Sequence, residues 1–225
     1  MTGTNDTSYG QAVADRSGLW LPILIIVLCC GVEICLQVAA RADLAPRLRA
    51  TTFENGAFWA GLLWRWQPNY ELQPYIMFLS YGFLHGGIMH LAVNMITLWS
   101  LSLGVLDRVR PSGFAVLYFG AMIGGGAAYA VLTTTPAPMV GASGALFGLA
   151  GGLLAWDYVD RSTRKDALRP VARTVGILIL LNVVMWWALD GHLAWQAHLG
   201  GFVAGWILAL LINPHPLVPD LDDNG

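Results

Sequence analysis

The sequence predicts an all-α membrane protein: a compact bundle of six transmembrane helices with a long interfacial outer loop between the first and the second. Three observations carry this. Charged residues make up 12% of the 225 residues, against about 25% in a soluble domain. Hydrophobic residues make up 56%. They gather in six stretches, 19–40, 88–106, 113–132, 139–156, 174–189 and 193–212, within which Glu33 is the only charged side chain. A helix needs about 20 apolar residues to cross roughly 30 Å of hydrocarbon, and it satisfies its own backbone polar groups there.

Taken in order, segment 1–18 is not basic, and the apolar run after it is too long for a signal-peptide core. The first stretch is therefore expected to stay as an anchor, with Cys29, Cys30 and Cys35 as buried or lipid-facing thiols. The outer loop 41–87 interleaves Phe53, Phe58, Trp59, Leu62, Leu63, Trp64 and Trp66 with Glu54, Asn55 and Arg65, the pattern of a segment lying in the interface. Its end, 75–83, is apolar again but is interrupted by Gly82 and, just after it, by Gly86 and Gly87, so it is expected to re-enter toward the bilayer. The whole span 19–212 is read as one membrane domain. The tail 213–225, rich in Pro and Asp, reads as a disordered cytoplasmic end. Basic residues set the orientation. With the N-terminus inside, eight Lys and Arg fall on inner segments and Arg41, Arg47, Arg49 and Arg65 on outer ones, which favours both termini in the cytoplasm. No internal repeat is visible, which weighs against a transporter of duplicated halves. A net charge of -2 and the lack of an Arg-rich patch exclude a basic nucleic-acid binder.

Polar side chains inside a membrane are costly and mark a packing contact or a site. Three places stand out: His85 with His90 and Asn94, then Gly141 to Gly144 around Ser143, then His198. The second, fourth and sixth stretches run in the same direction, so Ser143, His198, His90 and Asn94 fall at similar depth in the outer half. His90 and Asn94, four apart, point about 40° from each other on a helix. His198, Gly201 and Gly205 share one face, and Gly141, Gly144, Gly148 and Gly152 form a row beside Ser143. Small residues let helices approach closely enough for a hydroxyl and an imidazole to meet, although each glycine alone is explained by helix packing.

The arrangement points to nucleophilic catalysis, with Ser143 attacking and His198 taking its proton. Lys165 is the only lysine and lies in an inner loop, so a Ser-Lys pair is excluded. Asp190 and Glu33 are the acidic groups near the outer half, and neither has a diagnostic spacing, so a dyad is expected. Asn94, His90 and the Ser143 backbone N–H can serve as donors to an oxyanion. His85 is expected to hydrogen-bond in the loop end and support the site, and Phe147, one turn after Ser143, to pack under it. No metal is expected: His85 and His90 point about 140° apart on a helix, and no H-E-x-x-H occurs.

These residues resemble the rhomboid family of intramembrane serine proteases. The likeness rests on His85-Gly-Gly-Ile-Met-His90-Leu-Ala-Val-Asn94, on Gly141-Ala142-Ser143-Gly144 with Phe147 and Gly148, and on Ala197-His198-Leu199-Gly200-Gly201 with Gly205. Their order and helix assignment follow the family pattern over nearly the whole chain. The resemblance implies that Ser143 is the nucleophile and His198 the general base. It further implies an oxyanion hole of His90, Asn94 and the Ser143 amide, with Gly141 in the tight turn and Gly201 in the sixth-helix element. Phe147 falls where members often carry Tyr under the histidine. Tyr75-Ile76 stands where many carry a Trp-Arg pair in the outer loop. The implied reaction is hydrolysis of a peptide bond in or beside a transmembrane helix of a membrane-protein substrate, without a cofactor. Water would reach a site open only to the outer face, under the aromatic loop and beside the fifth span. A bacterial plasma membrane is the expected location, and oligomeric state is left open. A transporter would need polar residues to continue inward, yet below Ser143 the fourth stretch has no ionisable group. A non-catalytic binder or chaperone of transmembrane helices on the same fold remains the alternative reading.

Overall fold

The computed structural model describes residues 16–212 and Pro214. Segment 1–15 and the rest of the tail 213–225, with His215, lie outside the described residues. Eight α-helices run in chain order: α1 Trp20–Arg41, α2 Leu48–Gly56, α3 Gln73–Ser80, α4 Ile88–Leu106, α5 Pro111–Leu132, α6 Ser143–Arg164, α7 Arg169–Ala188 and α8 Trp195–Leu211. No strand occurs among the described residues; the one β-like feature is an isolated bridge between Phe58 and Met139.

Each of the six long helices overlaps one of the six apolar stretches. Four of them, α1, α4, α5 and α7, are long and apolar enough by themselves to cross a membrane. α6 begins at Ser143, later than its apolar stretch, and continues past it into Asp157, Asp160, Arg161 and Arg164 before Lys165 ends it in a left-handed turn, φ 59°. α8 is apolar with 17 residues. Proline opens α5 and stands in the first turn of α3 and α7, where its missing N–H has no helical partner to lose.

The core lies between α4, α5, α6 and α8. Leu98, Phe114, Leu117, Tyr118, Met122 and Leu149 are fully buried. α6 and α8 touch backbone to backbone. A Cβ added at Gly201 would run into the Gly144 carbonyl, and one at Gly205 into the Gly148 carbonyl, each well inside van der Waals contact. Trp156 Nε1 donates to the Ala209 carbonyl at 2.9 Å at the far end of the same seam. Beside Trp156, Arg108 lies over its ring at 5.5 Å and pairs with Asp160 at 2.9 Å. α7 is the outlier, with only Val171 buried.

The outer loop departs from a plain interfacial segment. Trp64 and Trp66 are exposed, but Phe58 is wholly buried, edge-on to Phe78 at 4.9 Å and to Tyr81 at 5.8 Å. Its backbone exchanges hydrogen bonds of 2.9 and 3.0 Å with Met139, tying the loop to the approach to α6. The apolar segment 75–83 is a short helix and a 3-10 turn, because Pro74 opens a helix and Leu84 turns extended.

Substituting Gly201 by Val is expected to cost at least about 3 kcal/mol, the top of the overpacking range, since a carbonyl cannot repack as a side chain does. Gly176→Ala in α7, where a Cβ meets nothing within 4 Å, should be neutral or slightly stabilising. Thermal unfolding of both variants in detergent checks the contrast.

Candidate active site

The approach of α6 and α8 brings Ser143 and His198 together. Ser143 opens α6 and His198 sits in the first turn of α8, so both reach the same end of the seam. The Ser143 hydroxyl lies 2.8 Å from His198 Nε2, across 55 residues of sequence. Phe147 stacks on the imidazole, centroids 4.3 Å apart and planes 10° from parallel, which fixes the tilt of the ring.

The remaining residues close on Gly141. Its φ of 121° is one that L side chains rarely adopt. Its N–H donates to the Tyr81 carbonyl at 2.9 Å. A Cβ there would lie 2.7 Å from His90 Cε1 and Nε2 and 3.4 Å from Asn94 Nδ2. A side chain is thus excluded where those two donors converge. The Gly86 N–H donates to His90 Nδ1 at 3.3 Å, so the neutral ring carries its proton on Nε2, toward Gly141. Asn94 is buried and its Nδ2 has no partner. A buried orphan donor is costly, and a ligand oxygen would satisfy it. The start of α6 adds further donors: its first N–H groups have no intrahelical acceptor, and the helix dipole favours negative charge there.

Two expectations change in detail. The ring nitrogens of His85 are buried without a partner, and the ring packs edge-on to His90 at 5.2 Å. Its backbone carbonyl also accepts from Arg49, at 3.1 Å. Burial, with His90 beside it, pushes the imidazole of His85 down to about 4, so it is neutral at pH 7. The other change concerns what holds His198. Its Nδ1 lies 2.6 Å from Asn182 Oδ1, on α7. The dyad expectation did not include Asn182, and Asp190 lies exposed in a left-handed turn just beyond α7. The sequence did carry one signal: Asn182 is the only amide or ionisable side chain in 174–189.

Tyr75 and Ile76 are exposed, so they do not anchor the outer loop. Arg49 of α2 does so instead, bonding both carboxylate oxygens of buried Glu33 at 2.7 and 3.1 Å while holding the His85 carbonyl. Gln37 also donates to Glu33, at 2.8 Å. Buried Gln73 donates to the Glu54 carbonyl at 2.7 Å, and Ser80 to the Gly56 carbonyl at 2.7 Å. A cavity of about 660 Å³ between α7 and α8 reaches Phe147, Asn182 and His198 and is otherwise lined by apolar side chains. Among the described residues, no cluster of three or more His, Cys, Asp or Glu could hold a metal ion.

Residues 72–215 match the family model described as the Rhomboid domain. The chain is 39% identical over 131 residues to the rhomboid protease GluP of Bacillus subtilis (strain 168), covering 58% of this chain and 24% of that protein. It is 32% identical over 208 residues to rhomboid-like protease 3 of Toxoplasma gondii, covering 92% and 73%. It is also 25% identical over 210 residues to the rhomboid protease GlpG of Serratia proteamaculans (strain 568), covering 92% and 68%. The match thus spans about a quarter of the length of the Bacillus relative.

The ion pair yields a test of how the outer loop is held. Arg49→Ala should destabilise the protein by about 2 kcal/mol, below the 3–5 kcal/mol usual for breaking a fully buried pair, because Arg49 is 29% exposed. Adding Glu33→Gln should recover more than half of that loss, as the stranded charge is then gone. Thermal unfolding of the single and double variants in detergent measures both.

Proposed function

Since this chain belongs to the rhomboid family, we propose that it is an intramembrane serine endopeptidase that hydrolyses peptide bonds in or next to transmembrane helices of membrane-protein substrates. Family membership supports intramembrane proteolysis in general, and the apolar helices make it an integral membrane protein. The observation that carries the finer reading is the 2.8 Å approach of Ser143 Oγ to His198 Nε2 on a seam of helix backbones.

In this reading Ser143 Oγ attacks the scissile carbonyl as its proton passes to His198 Nε2. The imidazolium then gives that proton to the leaving amine, and water repeats the cycle on the acyl-enzyme. His90 Nε2–H, Asn94 Nδ2 and the Ser143 N–H receive the oxyanion. Support for that role comes from the unpartnered Asn94 donor and from the empty side-chain position at Gly141. His85 and its Arg49-held carbonyl keep the start of α4 in place behind His90. The apolar cavity beside His198 suits a hydrophobic substrate segment, which must unwind locally to expose its backbone. The active site opens to the outer face, with both termini in the cytoplasm of a bacterial cell; the membrane domain is 19–212.

Purified wild-type protein is expected to cleave a labelled transmembrane substrate and to react with a fluorophosphonate probe, while Ser143→Ala and His198→Ala do neither. Asn94→Ala should lower kcat by about 100-fold or more, the usual cost of removing one oxyanion donor. A wild type that cleaves none of a panel of substrates and takes no probe would overturn the proposal in favour of a non-catalytic binder of transmembrane helices.

A further inference from the structure

Asn182 has both ends of its amide engaged. Its Nδ2 donates to the Leu178 carbonyl one turn back at 3.0 Å, and its Oδ1 stands 2.6 Å from His198 Nδ1. Turning the amide over would set Oδ1 against the Leu178 carbonyl, two acceptors with no proton between them. The bond to Leu178 therefore decides which end meets the imidazole, and that end is an acceptor. An acceptor at Nδ1 requires the ring proton on Nδ1. A neutral imidazole has only one, so Nε2 is left with its lone pair toward the Ser143 hydroxyl at 2.8 Å. The opposite tautomer would aim an N–H at Ser143 and could not take its proton.

We infer that Asn182 is a positioning residue for His198, holding it in the Nδ1–H tautomer that can act as a base and then accepting from the imidazolium. The inference rests on the Ser143–His198 reading and extends the dyad into a Ser143–His198–Asn182 chain drawn from α6, α8 and α7. Through acylation, the Ser143 proton moves to Nε2 while Oγ bonds to the carbonyl carbon. As the C–N bond breaks, the same proton leaves with the amine. Nδ1–H stays on the ring throughout, and the amide of Asn182 neither gains nor loses a proton. Packing does not explain the contact. α7 buries only Val171, and the space between α7 and α8 around Asn182 is the 660 Å³ cavity rather than a filled interface. An amide placed on a helix with so few packed neighbours, at 2.6 Å from the base, is there for the hydrogen bond.

The test is ¹⁵N NMR of histidine-labelled protein in detergent, with His198 assigned by the loss of its signals in His198→Ala, combined with the rate of fluorophosphonate labelling of Ser143. In the wild type His198 should carry its proton on Nδ1. Asn182→Leu, similar in size but without an acceptor, should show the Nε2–H form and label roughly tenfold or more slowly with an unchanged unfolding temperature. Asn182→Asp, which keeps an acceptor in place, should restore most of the rate, a rescue that a packing role would not produce. If Asn182→Leu does not fold, Asn182→Ala replaces it in both measurements. A wild type with the proton on Nε2, or an acceptor-free variant with unchanged tautomer and labelling rate, would overturn the inference. A wild type that takes no probe at all, yet shows the Nδ1–H form, would instead count against the hydrolytic reading of the site.

Discussion

Everything at the site depends on two helix backbones lying in contact. Where Gly201 meets the Gly144 carbonyl and Gly205 meets the Gly148 carbonyl, α6 and α8 are separated by no side chain at all. Only that spacing lets a side chain as short as serine reach an imidazole on the neighbouring helix. In a bilayer the seam cannot be held by the hydrophobic effect between helices, because lipid tails are as apolar as leucine. Close packing takes over, and the small residues that permit it are the same ones that bring Ser143 to His198. Stability and site geometry are therefore one property of this pair of helices.

The polar groups follow a second constraint: a polar atom away from water must find a partner or be reserved for one. Glu33 resolves this with Arg49 and Gln37, and that solution also ties the outer loop to α1 and to the His85 carbonyl. His198 resolves it on both ring nitrogens, toward Ser143 and toward Asn182. Asn94 leaves its amide nitrogen unsatisfied beside Gly141, where a substrate oxygen would complete it in the proposed reaction. The contrast separates groups that build the site from groups kept open for a ligand. It also accounts for α7, whose sole polar side chain within 175–188 besides the tryptophans meets His198 beside an otherwise apolar cavity wall.

Much of this was legible in the sequence because the bilayer imposes simple rules. Apolar runs of near-spanning length foretold the six long helices, and a shared direction for the second, fourth and sixth foretold that Ser143 could meet His198 with His90 and Asn94 nearby. Glycine spacing foretold which faces could meet, and Phe147, one turn from Ser143, does stack on His198. Helix limits were less legible. α6 starts four residues into its apolar run because Gly141 takes a conformation no helix allows, and it extends through charged residues that hydropathy alone would exclude.

What the sequence by itself determined is the membrane class, the helix content and the set of side chains available for chemistry. These follow from local composition and from a period of 3.6 residues. Tertiary structure alone decided three further things. Asn182, rather than an acid, orients His198. Arg49, rather than the segment at Tyr75 and Ile76, anchors the outer loop. Phe58 belongs to the core and not to the interface. Each is a contact between different elements, set by helix rotation and tilt. No local pattern encodes these, because the same amide, guanidinium or ring satisfies its own helix equally well whichever neighbour it meets.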